Sequence, residues 1–230
     1  MANDVALIVG AGRGLSASLA RACAKRGMKV AVAARNTEKL AALVAETGAK
    51  AYACDASQPP AVQGLFRAVE ADLGVPGLVV YNASARARGP FVELDPAGVA
   101  KALEVSAYGG FLVAQEAAKR MLPLGRGSIL FTGASASVKG YAQSAPFAMG
   151  KFALRGLAQS MARELAPKGI HVAHFVIDGG IRSPGDARAD RGPDGFLDPD
   201  AIAQTYLQIH DQPRSAWTWE VELRPWTETF

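Results

Sequence analysis

The densest run of chemically suggestive residues is Gly10-Ala11-Gly12-Arg13-Gly14-Leu15-Ser16. It follows an apolar run at residues 5–9 and precedes a segment with apolar residues at helical spacing. Glycines let a backbone turn sharply and approach a pyrophosphate. A helix starting there offers free N–H groups and the positive end of its dipole. The chemistry indicated is dinucleotide binding. A strict G-x-G-x-x-G fails, because Leu15 holds the last position. The second apolar run, residues 30–34, ends in Arg35-Asn36 with no acid. An NAD site places a carboxylate there, on the ribose diol. Arg35 instead offers a planar cation to a 2′-phosphate, and Arg13 inside the turn can reach the same group. The pair points to NADP(H) over NAD(H).

These residues need elements to hold them, and the apolar pattern supplies a regular series. Residues 5–9 read as a buried strand, followed by a helix over 15–26 that closes at Gly27. A strand at 30–34 leads to a helix capped by Asn36 or Thr37 and closed by Gly48. Further strands are expected at 51–54, 78–81, 128–132, 170–176 and 221–223. Helices are expected at 60–72, 147–165 and 201–210, with a long helical region over 96–121. Residues 179–199 are rich in Gly, Pro, Asp and Arg and read as a long surface loop, the usual place for a lid or binding segment. Strands alternating with helices imply an α/β fold: one doubly wound parallel sheet with right-handed crossovers and helices on both faces. Its ligand belongs beyond the carboxyl ends of the strands, where the strand order reverses.

At 230 residues the chain is long enough for one sizeable domain covering 1–230. The net charge of +4 comes from singly scattered basic residues, a solvated surface rather than a nucleic-acid face. Cys23 and Cys54 lack metal spacing and read as buried free thiols of a reducing compartment; no metal is expected. Met1-Ala2-Asn3-Asp4 lacks the features of a signal peptide, and no apolar stretch approaches the ~20 residues that span a bilayer. The expectation is a cytoplasmic protein without membrane contact.

Several further motifs follow predicted strands. The glycine turn fits the spacing G-x-x-x-G-x-G, with Gly10, Gly14 and Ser16 in the glycine slots. Asp55-Ala56 follows the third strand, Asn82-Ala83-Ser84 the fourth, and Asp178-Gly179-Gly180-Ile181-Arg182-Ser183 the sixth. Val105-Ser106-Ala107-Tyr108-Gly109-Gly110-Phe111 and Phe147-Ala148-Met149-Gly150-Lys151 complete the set. Over nearly its whole length the chain resembles the short-chain dehydrogenase/reductase family. The resemblance implies a Rossmann domain. It implies that Gly10, Gly12, Arg13, Gly14, Leu15, Arg35, Asp55, Ala56, Asn82, Ala83, Lys151, Gly179, Ile181 and Ser183 hold the cofactor. The Ile181 backbone would meet the nicotinamide carboxamide, with Ser183 its polar neighbour.

The family's catalytic set is an Asn, a Ser, a Tyr and a Lys. The tyrosine moves the proton of the carbonyl or alcohol oxygen. The lysine lowers its pKa and holds the nicotinamide ribose, the serine orients the substrate oxygen, and the asparagine anchors a relay water. Lys151 matches. Ser135 is the best match for the serine, with Ser137 as rival. Ser106 stands in the asparagine position and Phe147 in the tyrosine position. Phenylalanine cannot move a proton, and loss of a general acid costs ~10²–10⁴ in rate. A bound NADPH still gains from proximity and orientation. Tyr141, six residues upstream, is a candidate surrogate donor, although a packing role accounts for it equally well.

Two readings follow. One is an NADP(H)-dependent oxidoreductase acting on a small carbonyl or alcohol with an altered proton donor. The other is an inactive NADP(H)-binding regulatory or scaffolding protein. The resemblance also implies a homodimer or homotetramer, with helices around residues 100–120 and 147–165 at the interface. The aromatic tail, residues 217–226, is expected to pack in the core or an interface. The segment 179–199 and residues 86–91 are expected to shape the substrate pocket.

Overall fold

The first strand, β1 (Val5–Val9), is buried at every residue. Its side chains alternate between two separate apolar cores. Val5, Leu7 and Val9 enter one with Phe66, Val113 and Leu154, whereas Ala6 and Ile8 enter the other with Leu19, Leu40 and Tyr206. A strand buried on both faces has no polar positions, which is why it reads as a continuous apolar run.

The computed structural model describes residues 4–183, 185 and 191–229. Six further strands are β2 (Lys29–Ala34), β3 (Lys50–Ala53), β4 (Pro76–Tyr81), β5 (Gly127–Thr132), β6 (Ile170–Ile177) and β7 (Glu220–Leu223). They form one sheet in the order β3-β2-β1-β4-β5-β6-β7, with every neighbouring pair parallel. The helices are α1 (Leu15–Lys25), α2 (Ala41–Thr47), α3 (Pro59–Asp72), α4 (Pro96–Leu103), α5 (Gly109–Met121), α6 (Ala145–Leu165) and α7 (Pro199–His210). α1, α2 and α7 supply residues to one core, and α3, α5 and α6 to the other. The expected doubly wound parallel sheet is therefore what forms. Chain order reverses between β1 and β4, which opens the ligand crevice at their carboxyl ends.

Helix starts follow local capping chemistry. Asp95 caps α4 by accepting from Ala97 N and Gly98 N at 3.3 and 2.8 Å, with Pro96 in the first helical turn. Asp198 caps α7 by accepting from Asp200 N at 3.0 Å. α6 begins two residues before the expected Phe147, because Pro146 suits a first helical turn.

The long helical region is not uniform. A five-residue π turn, Glu104–Tyr108, separates α4 from α5. Such wide turns displace a helix face and concentrate at functional sites. Gly109 and Gly110 follow it because there is no room for a side chain. A Cβ would lie 2.5 Å from Tyr81 Oη at the first and 2.6 Å from Leu154 Cδ1 at the second.

The expected loop over 179–199 is pinned at both ends. Ile181 forms a parallel bridge with Leu197, Arg182 N donates to Leu197 O at 2.9 Å, and Leu197 N donates to Gly180 O at 2.8 Å. Residues 184 and 186–190 lie outside the described residues. In the tail, Trp217 stacks on His171 at a ring separation of 4.6 Å. Trp226 is instead 81% exposed and donates to Asp194 Oδ2 at 3.2 Å. Cys23 and Cys54 are buried free thiols, and burial pushes the first up to about 12 and the second to about 11. No helix among the described residues is long and apolar enough to cross a membrane.

Candidate active site

The glycine turn is built by close backbone approach. Gly10 has φ +87°, and a Cβ there would lie 2.3 Å from Ala83 N. Only glycine supplies both the left-handed conformation and the missing side chain. Gly10 N and Ala11 N both donate to Ala33 O at 2.9 Å, and Asn82 N donates to Val9 O at 2.8 Å. Ser16 adds a polar chain: its Oγ donates to Gly10 O at 3.1 Å and accepts from Asn82 Nδ2 at 2.6 Å. The helix that starts at Leu15 has Gly14 before it and no side-chain cap, so its first N–H groups are left for an anion. A Cβ on Gly12 would meet nothing within 4 Å. The turn is rigid underneath and open above.

Above it lies a cleft of about 700 Å³, lined by Arg13, Arg35 and Lys39 together with Asp55, Asn82 and Ala83. Among the described residues Asp55 is the one acid lining it, set against three cations. The Asp55 carboxylate accepts from Ser57 Oγ at 2.7 Å and from Ser57 N at 3.0 Å, which holds it below the usual carboxylate range. Lys39 was not evident as a site residue from the sequence, where it reads as part of a helix. A short 3₁₀ turn at Glu38–Leu40 precedes α2 and brings Lys39 to the cleft.

Further along the carboxyl edge, α6 carries Phe147 and Lys151 one turn apart, and both are buried. Lys151 Nζ donates to the Thr132 carbonyl oxygen at 2.7 Å and lies 5.8 Å from the centre of the Phe147 ring. Burial, and secondarily the charge of Arg86, push the Lys151 ammonium down to about 7. The guanidinium of Arg86 lies 4.1 Å from the same ring centre. One aromatic ring thus stands within reach of two cations.

The chain matches the family described as short chain dehydrogenase over residues 4–191. The chain belongs to that family. It is 30% identical over 219 residues to D-threitol dehydrogenase of Mycolicibacterium smegmatis, a match covering 87% of this chain and 83% of that one. A short-chain dehydrogenase from Rhodopseudomonas palustris superposes with a TM-score of 0.85 at 38% identity, covering 97% of this chain and 99% of that one. A metagenomic short-chain oxidoreductase solved in complex with NADP gives a TM-score of 0.85 at 28% identity and covers 98% of each chain.

Around the cleft, several buried polar residues have local partners. Ser106 is fully buried in the π turn, where its Oγ accepts from Ala85 N at 3.2 Å and lies 3.4 Å from Ala85 O. α6 comes close enough to cover it because residue 150 is glycine; a Cβ there would sit 2.8 Å from Ser106 Cβ. Ser137 is fully buried and accepts from Ala134 N at 3.1 Å, while Ser135 stands half-buried at the start of the same turn. Gly133 leads into that turn because a Cβ would lie 2.2 Å from His174 Nε2.

Asp178 is buried and paired with Arg224 at 3.0 Å and Lys139 at 3.5 Å. Gly179 has φ +140° and lies against Pro225, which a Cβ would approach to 2.9 Å. Ser183 Oγ lies 4.0 Å from the place a Cβ would occupy on Gly14, so the segment after β6 reaches back to the glycine turn. Tyr141 is exposed, with Lys139 Nζ 6.0 Å from its ring centre, and it lines a shallow apolar surface with Met149 and Phe152 instead of the main cleft.

Proposed function

We propose that this protein is an NADP(H)-dependent oxidoreductase that interconverts a small carbonyl compound and its alcohol, with proton handling altered at Phe147. The observation that carries this reading is one cleft lined by the glycine turn and by Arg13, Arg35 and Lys39. The donor set fits the cofactor. Uncapped N–H groups at α1 suit a diphosphate, and three cations against one carboxylate suit a 2′-phosphate. The relative solved with NADP supports the same choice.

When bound, the cofactor supplies the hydride. The chain's residues do the rest. Gly10, Gly12, Gly14 and Leu15 receive the diphosphate, Asp55 and Ala56 the adenine, and Asn82 and Ala83 the intervening ribose. Gly179, Ile181 and Ser183 hold the carboxamide end. Ser135, whose partner Ser137 is already engaged, orients the substrate oxygen. Lys151 meets the ribose hydroxyls. It is also the ionisable side chain beside Phe147 that can exchange a proton near neutral pH. Within one unit spanning 1–230, residues 179–183 and 191–199 border the substrate. A second copy packs against α5 and α6, where Phe111, Met149 and Phe152 are exposed.

The competing reading, a protein that binds NADP(H) without turnover, is favoured by Phe147 alone. Fluorescence titration with NADPH and NADH, followed by NADPH consumption against a panel of carbonyl compounds, separates the two. The oxidoreductase reading expects tighter NADPH binding and measurable consumption. It expects a further gain of about 10²–10⁴ in Phe147→Tyr. NADPH binding with both proteins inert on every carbonyl selects the non-catalytic reading.

A further inference from the structure

We propose that Arg86, exposed to solvent over the Phe147 ring, binds an oxyanion there, so that the substrate is an acidic carbonyl compound whose carboxylate or phosphate pairs with the Arg86 guanidinium. The proposal deepens the oxidoreductase reading and rests on it for the place of the substrate.

Arg86 lies over the Phe147 ring and makes no ion pair or hydrogen bond among the described residues. Lys151, on the same ring, is bonded to a backbone carbonyl and not to an acid. Arg88 is close enough to disfavour the charge on Arg86, as Arg86 does that on Lys151. Two acids at the β6–β7 side of the sheet are paired with other cations. Asp178 is held by Arg224 and Lys139, and Glu220 by both arms of Arg155. Like charges gathered without a counterion repel, and an anion entering from solvent relieves that repulsion.

The segment carrying Arg86 is tied on both sides. Ser106, buried beneath Gly150, clamps Ala85 N, and Gly89 N donates to Gln143 O at 3.3 Å. The arginine therefore leaves a fixed backbone. Contact with a ring face uses none of its five N–H donors, which leaves the guanidinium fork for two oxygens of a carboxylate or phosphate. A phenylalanine offers that face with no hydroxyl to compete for the donors.

The test uses the full chain saturated with NADPH, whose binding is titrated first. Binding is then measured by calorimetry for matched pairs: pyruvate and methyl pyruvate for the carboxylate arm, dihydroxyacetone phosphate and dihydroxyacetone for the phosphate arm. Oxamate serves as a carboxylate probe that does not turn over. At least one acid is expected to bind ten-fold or more tightly than its neutral partner. Arg86→Ala is expected to weaken that acid about ten- to a hundred-fold while leaving NADPH affinity unchanged, and Arg86→Lys to recover part of the loss. The arm that responds identifies the acid. Equal affinity for acid and neutral partner, no binding of any acid, or an unchanged acid affinity in Arg86→Ala overturns the proposal. Failure of NADPH itself to bind overturns the underlying oxidoreductase reading instead. A thermal melt of each variant confirms that the fold is retained.

Discussion

Lys151 Nζ donates to the carbonyl oxygen of Thr132 at 2.7 Å, and no carboxylate among the described residues pairs with it. A buried ammonium held this way titrates at about 7 in the folded chain against 10.5 in the ordinary state. Between those values the unfolded chain binds the proton and the folded chain does not. Stability therefore rises with pH from about 7 upward, and Lys151 contributes no slope below that. Thermal melts from pH 7 to 9 should show a rising Tm, and Lys151→Met should remove most of the rise. The window stops near 9 because Cys23, held up to about 12 by burial, begins to act in the opposite direction.

Arg35 and Lys39 both line the cleft. Arg35→Ser should weaken NADPH about ten-fold or more and leave NADH within about two-fold, because a charge-assisted contact to a phosphate is worth about 1.5–3 kcal/mol. Parallel fluorescence titrations with the two cofactors measure it. Equal loss for both would place Arg35 outside the 2′-phosphate site.

Gly10→Ala combines a left-handed φ with a 2.3 Å approach to the Ala83 backbone. The strained conformation alone costs about 1–2 kcal/mol. The turn must also separate from the Asn82 segment. A lower Tm together with loss of NADPH binding is expected, whereas Gly12→Ala, which meets open space, should cost little stability.

Arg155 grips Glu220 with two bonds of 2.6 and 2.7 Å, and Glu220 in turn accepts from His174 Nδ1 at 3.1 Å. Burial pushes the His174 imidazole down to about 4, so it is neutral at neutral pH. Arg155→Met should destabilise by about 2 kcal/mol in urea melts. In the parent protein the unfolded chain takes up the histidine proton near 6.5 and the folded chain only near 4. Stability should fall as pH drops through that window, and the lowered Glu220 carboxyl adds to the fall.

The fold was legible because its strands are covered on both sides. Buried parallel strands leave short apolar runs such as residues 5–9 and 78–81. β4 was expected to start at residue 78, yet Pro76 pairs with Val5 at the strand's first position. The glycine turn and Arg35 were legible from spacing. Residues 86–91 were expected to shape the substrate pocket, but the placement of Arg86 over the Phe147 ring was not legible: its segment follows a path fixed by Ser106, 21 residues from Ala85, and by Gln143. Contacts of that range leave no periodic trace. Ser106 read as a substituted relay residue, and the π turn that directs it to Ala85 has no signature in the sequence.

The parallel bridge between Ile181 and Leu197 gives the protein a natural exchange point. Its hydrogen bonds fix the entry and exit of the intervening stretch, and Asp194 adds ties to Trp226 and Thr227. Closing a loop of doubled length costs only about 0.6 kcal/mol more. Insertions between residues 183 and 191 should therefore leave the cofactor cleft standing on an unchanged scaffold.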